Sequence, residues 1–366
     1  MEMHKKLGFG LMRLPMKDGE VDIPQTCRMV DRFLEEGFNY FDTAHGYIQG
    51  KSEKAVKAAL SSRYPRESYI LTNKLSGGFW SRQEDIEPLL NSQLEACGVA
   101  YFDYYLMHAL DKTSYRRYLE NGAFSEVLRL KEKGKVRHMG ISFHDTAEVL
   151  DMILTEQPEI EIVQIQFNYR DYEDPDVQSG KCLEVCRKHG KPVLVMEPVR
   201  GGSLVDLPEA AQQLLSARRG GSLASYALRY CASFEGIVMI LSGMSSTEQM
   251  EDNIVTMKED NPLTEDEMKA IGQVVEILRN QNQIPCTRCE YCTERCPKNI
   301  PIPQLFKAVN RKREFRNADI TWSLNNAVKE RGKPSDCISC GLCERVCPQH
   351  IEIRSLLREI AENYQL

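Results

Sequence analysis

No stretch of these 366 residues is apolar for long enough to cross a bilayer, and the chain carries no surplus of positive charge. Lysine and arginine number 47 against 53 aspartates and glutamates, for a net charge of −6, which argues against general nucleic-acid binding. The opening Met1-Glu2-Met3-His4-Lys5-Lys6 lacks the apolar centre of a secretion signal, so a cytoplasmic location is expected. Low-complexity tracts are missing. No Gly-x-Gly-x-x-Gly follows a candidate strand, which removes the main support for an open doubly wound sheet. Length calls for one large domain and one small one.

What the chain has in abundance is cysteine at one end. Eight of the 13 cysteines form the same comb twice: Cys286-x-x-Cys289-x-x-Cys292-x-x-x-Cys296-Pro297 and Cys337-x-x-Cys340-x-x-Cys343-x-x-x-Cys347-Pro348. Three thiolates two residues apart can wrap a [4Fe–4S] cubane in one tight loop, and the fourth ligand comes from the other comb. Cys286, Cys289, Cys292 and Cys347 are therefore assigned to one cluster, and Cys337, Cys340, Cys343 and Cys296 to the other. Structural zinc would pair two close cysteines with a distant second pair, and a disulfide framework suits small secreted chains. The remaining five, Cys27, Cys97, Cys182, Cys186 and Cys231, lie in apolar or helical stretches and read as buried free thiols. Between the combs, Pro303–Arg313 and Ala318–Glu330 have helical composition. This region resembles the helical two-cluster ferredoxin domains found beside dehydrogenases.

The first 260 residues alternate short β-branched or aromatic runs with amphipathic stretches. Candidate strands are Leu7–Leu11, Phe38–Asp42, Tyr69–Asn73, Asp103–Met107, Arg137–Ile141, Glu161–Gln166, Pro192–Met196 and Ile237–Leu241. Strand–helix alternation implies parallel pairing through right-handed crossovers, and eight such units close into a (β/α)8 TIM barrel. The expected organisation is a barrel over residues 1–262, then a linker helix and a small, mainly helical two-[4Fe-4S] ferredoxin-like domain over 263–366. Asn261–Gln283 reads as the linker helix.

In such a barrel, chemistry sits where the strands end. Asp42 ends the second candidate strand, Tyr47 follows in its loop, Lys74 follows the third strand and His108 the fourth. Each has an ordinary explanation alone, as a helix cap, a surface phenol, a solvated ammonium or a satisfied imidazole. Together they form a coherent set for reducing a carbonyl. A phenol, protonated at neutral pH, can donate to the oxygen on which charge develops. An ammonium stabilises the phenolate left behind, a carboxylate holds the ammonium, and a neutral imidazole aims the carbonyl.

These residues carry a resemblance. Gly37-Phe38-Asn39-Tyr40-Phe41-Asp42-Thr43-Ala44-His45-Gly46-Tyr47 closely resembles the signature of aldo-keto reductases, and Thr72-Asn73-Lys74-Leu75 and Tyr105-Leu106-Met107-His108 match that family's next motifs. With its tail, the chain is similar to the iron–sulfur branch of the family. The resemblance implies an NAD(P)H-linked reductase of a small aldehyde or ketone with Asp42, Tyr47, Lys74 and His108 as a catalytic tetrad. It also implies cofactor contacts from Ser142, Gln164, Met196, Pro198, Val199, Gly201, Gly243, Ser246, Gln249 and Asn253. Met196 stands where the family usually has an aromatic ring, and Ser142-Phe143-His144 where it commonly has Ser-Asn. Gly243 and Gln249 occupy places where many members put cations on the adenosine 2′-phosphate, so NAD stays open beside NADP.

Nicotinamide moves electrons in pairs and a cubane moves one, so direct exchange needs a converter such as a flavin. An electron-transfer oxidoreductase fed by ferredoxin or flavodoxin, with a flavin or substrate radical at the barrel mouth, is the alternative reading. A non-catalytic nicotinamide sensor with a docking module is the third. Lys307, Arg311, Lys312, Arg313 and Arg316 read as a solvated helix face or a landing patch for an acidic carrier. Phe79, Trp80, His144 and Tyr169 are candidates for the pocket mouth.

Overall fold

The computed structural model describes residues 3, 5–218, 221–279, 283–315 and 318–366, so Arg316 lies outside the described residues. The chain forms two compact units, Met1–Leu204 with Leu215–Ile271, and Val205–Leu214 with Gly272–Leu366.

The first unit is a closed barrel of eight parallel strands. In chain order they are β1 (Leu7–Gly10), β2 (Tyr40–Asp42), β3 (Ile70–Leu75), β4 (Phe102–Leu110), β5 (Val136–Phe143), β6 (Ile162–Gln166), β7 (Val193–Met196) and β8 (Ile237–Ser242). Each strand pairs with its sequence neighbour, and β1 closes the ring by pairing with β8 and β2. An antiparallel hairpin, Met16–Lys17 with Glu20–Val21, follows β1 and was not expected from the strand pattern.

The helices between strands follow ordinary start and stop chemistry. In Ile23–Glu35, the Asp22 carboxylate accepts from the Gln25 amide at 2.9 Å, and Pro24 sits in the first turn, where no backbone donor is needed. Met29, Val30 and Phe33 bury one face, and Gly37 at φ 81° lets the chain turn into β2. Removing the Asp22 cap would cost about 1 kcal/mol.

Strand alternation decides what the barrel holds. Tyr40, Ile70, Leu106, Ile162, Leu194, Met239 and Leu241 form one buried apolar layer. Each contributes about 1.5–3 kcal/mol relative to exposure. Two residues further along the same strands come Asp42, Thr72, His108, Gln164 and Met196, with Lys74 two beyond Thr72. The period of two places this set, polar except for Met196, on the inward face above a dry floor.

Two strands run further than the sequence pattern indicates. Lys74 lies inside β3, which is buried along its whole length, and His108 lies inside β4. The β4–β5 register shifts between Met107 and Leu110, where Ala109 adopts φ 56°. A bulge of this kind re-aims the neighbouring side chain.

In the second unit, the two cysteine loops share one backbone pattern. Arg288 and Glu290 flank Cys289 with positive φ, as Ser339 and Gly341 flank Cys340. Three residues after the last cysteine of each comb, Asn299 and His350 do the same, each amide donating to the carbonyl of Cys296 or Cys347. A helix follows each loop, Ile302–Glu314 and Ile353–Tyr364. At Gly332 the backbones pass so closely that an added methyl would lie 2.0 Å from the Lys298 carbonyl oxygen.

Candidate active site and cluster loops

At the barrel mouth, the Lys74 ammonium is fully buried and donates to Asp42 Oδ1 at 2.5 Å and to the Thr43 carbonyl at 2.9 Å. Gln164 Nε2 donates to the other Asp42 oxygen at 3.3 Å. The Tyr47 ring lies over the ammonium, with Nζ 4.9 Å from its centroid. Its other neighbour is the His108 ring, 5.9 Å away and edge-on. The loop that carries Tyr47 turns through Ile48 and Gln49 at φ 49° and 56°. A β-branched residue rarely adopts that conformation, so the turn is held by its surroundings.

The electrostatics are those of a water-poor pocket. Burial would lower the Lys74 ammonium, but Asp42 and Tyr47 outweigh it and its pKa moves up. Burial holds the Asp42 carboxyl above the usual carboxylate range against the pull of Lys74. Burial also raises the Tyr47 hydroxyl; Lys74 opposes the rise, while Asp42 and Glu197 add to it. Burial, aided by Lys74 and His144, lowers His108 to about 3, which leaves the imidazole neutral at physiological pH. Its Nδ1 is 2.7 Å from Ser76 Oγ. The arrangement can hold a protonated phenol beside a permanent cation and a neutral imidazole, which is the equipment for proton donation to a polarised oxygen.

The residues expected at a cofactor lie around the same mouth. Ser142 Oγ accepts from the Ala109 amide at 2.7 Å and so supports the β4 bulge. Asn253 Nδ2 donates to Ser242 Oγ at 2.9 Å; Ser246 caps the helix Thr247–Met257, and Gln249 Oε1 accepts from the Ser245 amide at 2.8 Å. Met196 ends β7, and Pro198, Val199 and Gly201 belong to the loop that follows it, in which Glu197, Arg200, Gly201 and Gly202 all have positive φ. Of the pocket-mouth candidates, Phe79 and His144 are exposed, whereas Trp80 and Tyr169 are 5% and 3% exposed. They are covered because Trp80 packs edge-on against Tyr118 and Tyr169 against Tyr230.

In the second unit, Cys286, Cys289, Cys292 and Cys347 line one cavity of about 330 Å³ of atom-free space, walled by Ile302, Pro303, Phe306 and Ile353. Cys296, Cys337, Cys340 and Cys343 line another of about 320 Å³, with Ile300, Ile338 and Leu357. Each cavity thus takes three thiols from one comb and the fourth from the other. Four thiols around an apolar space fit a cubane. Burial pushes the Cys292 and Cys343 thiols up to about 11, so cluster loading must displace protons.

The aldo/keto reductase family model matches residues 6–276, and a 4Fe-4S dicluster domain model matches 285–352. The chain belongs to the aldo/keto reductase family. It is an oxidoreductase with a C-terminal 4Fe-4S dicluster domain. An NADH-specific methylglyoxal reductase from Escherichia coli strain K12 is 24% identical over 303 residues, covering 69% of this chain and 89% of that protein. An aldo-keto reductase from Bacillus halodurans, solved in its holo form, is 26% identical with TM-score 0.60, covering 74% of this chain and 91% of that one. The structure of an aldo-keto reductase from Klebsiella pneumoniae in complex with NADPH has TM-score 0.61 at 19% identity, covering 74% and 90% of the two chains.

Around Asp42, Tyr47, Lys74 and His108 in this aldo/keto reductase stand supports that sequence reading did not single out. Asn73 donates to the buried Glu53 at 2.8 Å, and its Oδ1 accepts from the Lys74 amide at 2.8 Å and from Gln93 Nε2 at 3.1 Å. Tyr105 donates to Gln93 Oε1 at 2.6 Å. This network fixes the β3 backbone that carries Lys74. On the other side, Asp171 is fully buried and accepts from Arg200 Nε at 2.9 Å, Gln166 Nε2 at 2.7 Å and Asn168 Nδ2 at 2.7 Å. Asn168 Nδ2 also donates to the Glu197 carbonyl at 3.0 Å, which pins the loop after β7. The only sequence signal for either network was polar residues in runs otherwise apolar.

Proposed function

We propose that this chain reduces a small aldehyde or ketone with NADH, with Tyr47 as proton donor. The observation that carries the reading is the buried Lys74–Asp42 pair, at 2.5 Å, directly beneath the Tyr47 ring. NADH, when bound, supplies the hydride. As charge builds on the carbonyl oxygen, Tyr47 gives it a proton, and the Lys74 ammonium holds the phenolate that remains. Asp42 keeps Lys74 charged and aimed. His108, neutral and engaged by Ser76 through Nδ1, presents Nε2–H to the same oxygen when Ser76 is the donor. Burial keeps Tyr47 protonated until the moment of transfer. Gly243 and Gln249 offer no cation to an adenosine 2′-phosphate, which supports NADH over NADPH. The E. coli relative is an NADH-specific methylglyoxal reductase.

Cys286, Cys289, Cys292 and Cys347 would hold one cluster and Cys296, Cys337, Cys340 and Cys343 the second, and bound clusters supply one-electron chemistry. Cys289 and Cys340 are the exposed ligand of each set, which supports a second reading in which an external one-electron carrier such as ferredoxin or flavodoxin docks on this unit. Of the basic helix residues, Arg313 reaches Glu359 at 3.6 Å and Lys312 donates to the Ala318 carbonyl, so the patch is partly committed within the unit.

The test is Tyr47→Phe. Carbonyl reduction should fall by several orders of magnitude while NADH affinity holds; undiminished turnover would end the reading. An anaerobic absorbance spectrum with and without NADH reports whether a flavin is present and whether nicotinamide reduces the clusters.

A further inference from the structure

The proton on His108 can be placed by counting hydrogen bonds at Ser76. This serine is the first residue past β3, is 7% exposed, and has its Oγ 2.7 Å from His108 Nδ1. A hydroxyl carries one proton and a neutral imidazole carries one N–H. Among the described residues, no carbonyl or carboxylate accepts from that hydroxyl. If Nδ1–H donated to Ser76, the hydroxyl proton would be stranded in a nearly closed space. Nε2 would then meet an incoming carbonyl oxygen with a lone pair. The reverse arrangement leaves nothing unpaired: Ser76 donates, Nδ1 accepts, and Nε2 carries the proton. Stranding a buried donor costs roughly tenfold or more in population, which favours this second arrangement.

Backbone bonds hold Ser76 where the contact needs it. The carbonyls of three consecutive residues are committed. The buried Tyr118 hydroxyl donates to the Leu75 carbonyl at 2.6 Å, the Phe79 amide to the Ser76 carbonyl at 3.2 Å, and Arg117 Nη1 to the Gly77 carbonyl at 2.6 Å. Tyr118 and Arg117 are neighbours on the helix Lys112–Glu120, which follows β4, the strand that carries His108. The same Tyr118 hydroxyl lies 3.2 Å from the His108 carbonyl. One phenol thus pins the backbone of both partners on adjacent strands. Trp80 covers it edge-on, with ring centroids 5.0 Å apart. Gly77 is required in this grip, because a methyl there would collide with Arg117 Nη2.

We propose that Ser76 is a positioning residue of the reductase site. Its hydroxyl donates to His108 Nδ1 and fixes the imidazole as the tautomer that offers Nε2–H to the substrate oxygen, while Tyr118 and Arg117 hold the Leu75–Gly77 backbone that aims it. The proposal rests on the carbonyl-reductase reading. A hydroxyl in place of a carboxylate partner has a chemical consequence. It orients the ring without adding negative charge, so the imidazole stays a hydrogen-bond donor and does not become a proton source in competition with Tyr47.

The experiment is nitrogen-15 NMR of the full, cluster-loaded protein with labelled histidine at neutral pH, joined to steady-state kinetics. His108 is identified by its absence from the His108→Asn spectrum. In the wild type, its signals should show Nε2 protonated and Nδ1 bare. Ser76→Ala should shift them to a mixture of tautomers and lower kcat roughly tenfold with KM for NADH unchanged, since Ser76 acts through His108 alone. Ser76→Thr keeps the hydroxyl and should restore both readouts. Arg117→Met should show the same two changes to a smaller degree. Protonation at Nδ1 in the wild type, or an unaltered tautomer or kcat in Ser76→Ala, overturns the role of Ser76; wild-type behaviour of Arg117→Met overturns the grip. The tautomer is read without substrate. A wild-type protein that reduces no carbonyl therefore ends the reductase reading, while the Ser76–His108 assignment is decided separately.

Discussion

Replacing Lys74 by methionine keeps the length of the side chain and removes its charge. In the folded protein the lysine is fully buried and Asp42 is 4% exposed, so the carboxylate would be stranded beside an apolar floor with only Gln164 as partner. Breaking a buried ion pair from one side costs about 3–5 kcal/mol, whereas removing both charges costs much less. Asp42→Asn in the Lys74→Met background should therefore recover about 2–3 kcal/mol, a coupling that a double-mutant cycle measures. The chain has two tryptophans, of which Trp80 is buried in the barrel unit and Trp322 is 76% exposed in the other. In a Trp322→Phe background, Trp80 emission under urea reports barrel unfolding alone. The pH dependence gives a second check. The Asp42 pKa is already raised by burial in the native state, and loss of the cation raises it further. A carboxyl whose folded pKa exceeds its unfolded value binds more protons when folded. Its favourable contribution is complete below the unfolded pKa and is lost as pH rises through the folded one. Lys74→Met should thus be more stable at pH 5 than at pH 8, and the double variant should lose that slope. A cost under about 1 kcal/mol, or stability that rises with pH in the single variant, would refute the burial argument.

The neutral state of His108, held down to about 3 mainly by burial, predicts kcat/KM without an inflection near the usual histidine pKa between pH 5.5 and 8. Its lowered folded pKa contributes stability that is present above 6.5 and lost as pH falls toward 3. The difference in urea midpoint between wild type and His108→Asn should therefore shift toward the variant on moving from pH 7.5 to 4.5. The crossed thiol sets predict that the Cys286→Ser, Cys347→Ser double variant retains about four of about eight irons by colorimetric assay, because both residues serve one cluster; complete iron loss would mean that each comb holds its own. Gly332→Ala should cost about 1–3 kcal/mol or more in the C-terminal unit and lower iron content, since the added methyl would press on the Lys298 carbonyl.

Much of the site could be read from local pattern because strand alternation carries it. Asp42, Lys74 and His108 share parity with Tyr40, Ile70 and Leu106, so once eight strands close, the polar set must sit on the apolar layer. Strand ends were less visible. Lys74 and His108 follow runs that look complete at Asn73 and Met107, yet the ladder continues past both, through pairing of Lys74 with Leu106 and through the Ala109 bulge. Loop placement was not visible at all: Trp80 and Tyr169 are covered by tyrosines distant in sequence, and the left-handed turns at Glu197 and Arg200 depend on Asp171 and Asn168.

What the order of residues determined unaided was periodicity and spacing: alternation that dictates which side chains face inward, and cysteine intervals that suit a cubane. Both are properties of a few consecutive residues, and backbone geometry converts them directly into direction. Tertiary structure alone decided the meetings between distant segments, such as Asn168 with the Glu197 carbonyl and Asn73 with Glu53. No local rule governs such encounters, because they exist only after the whole barrel has closed.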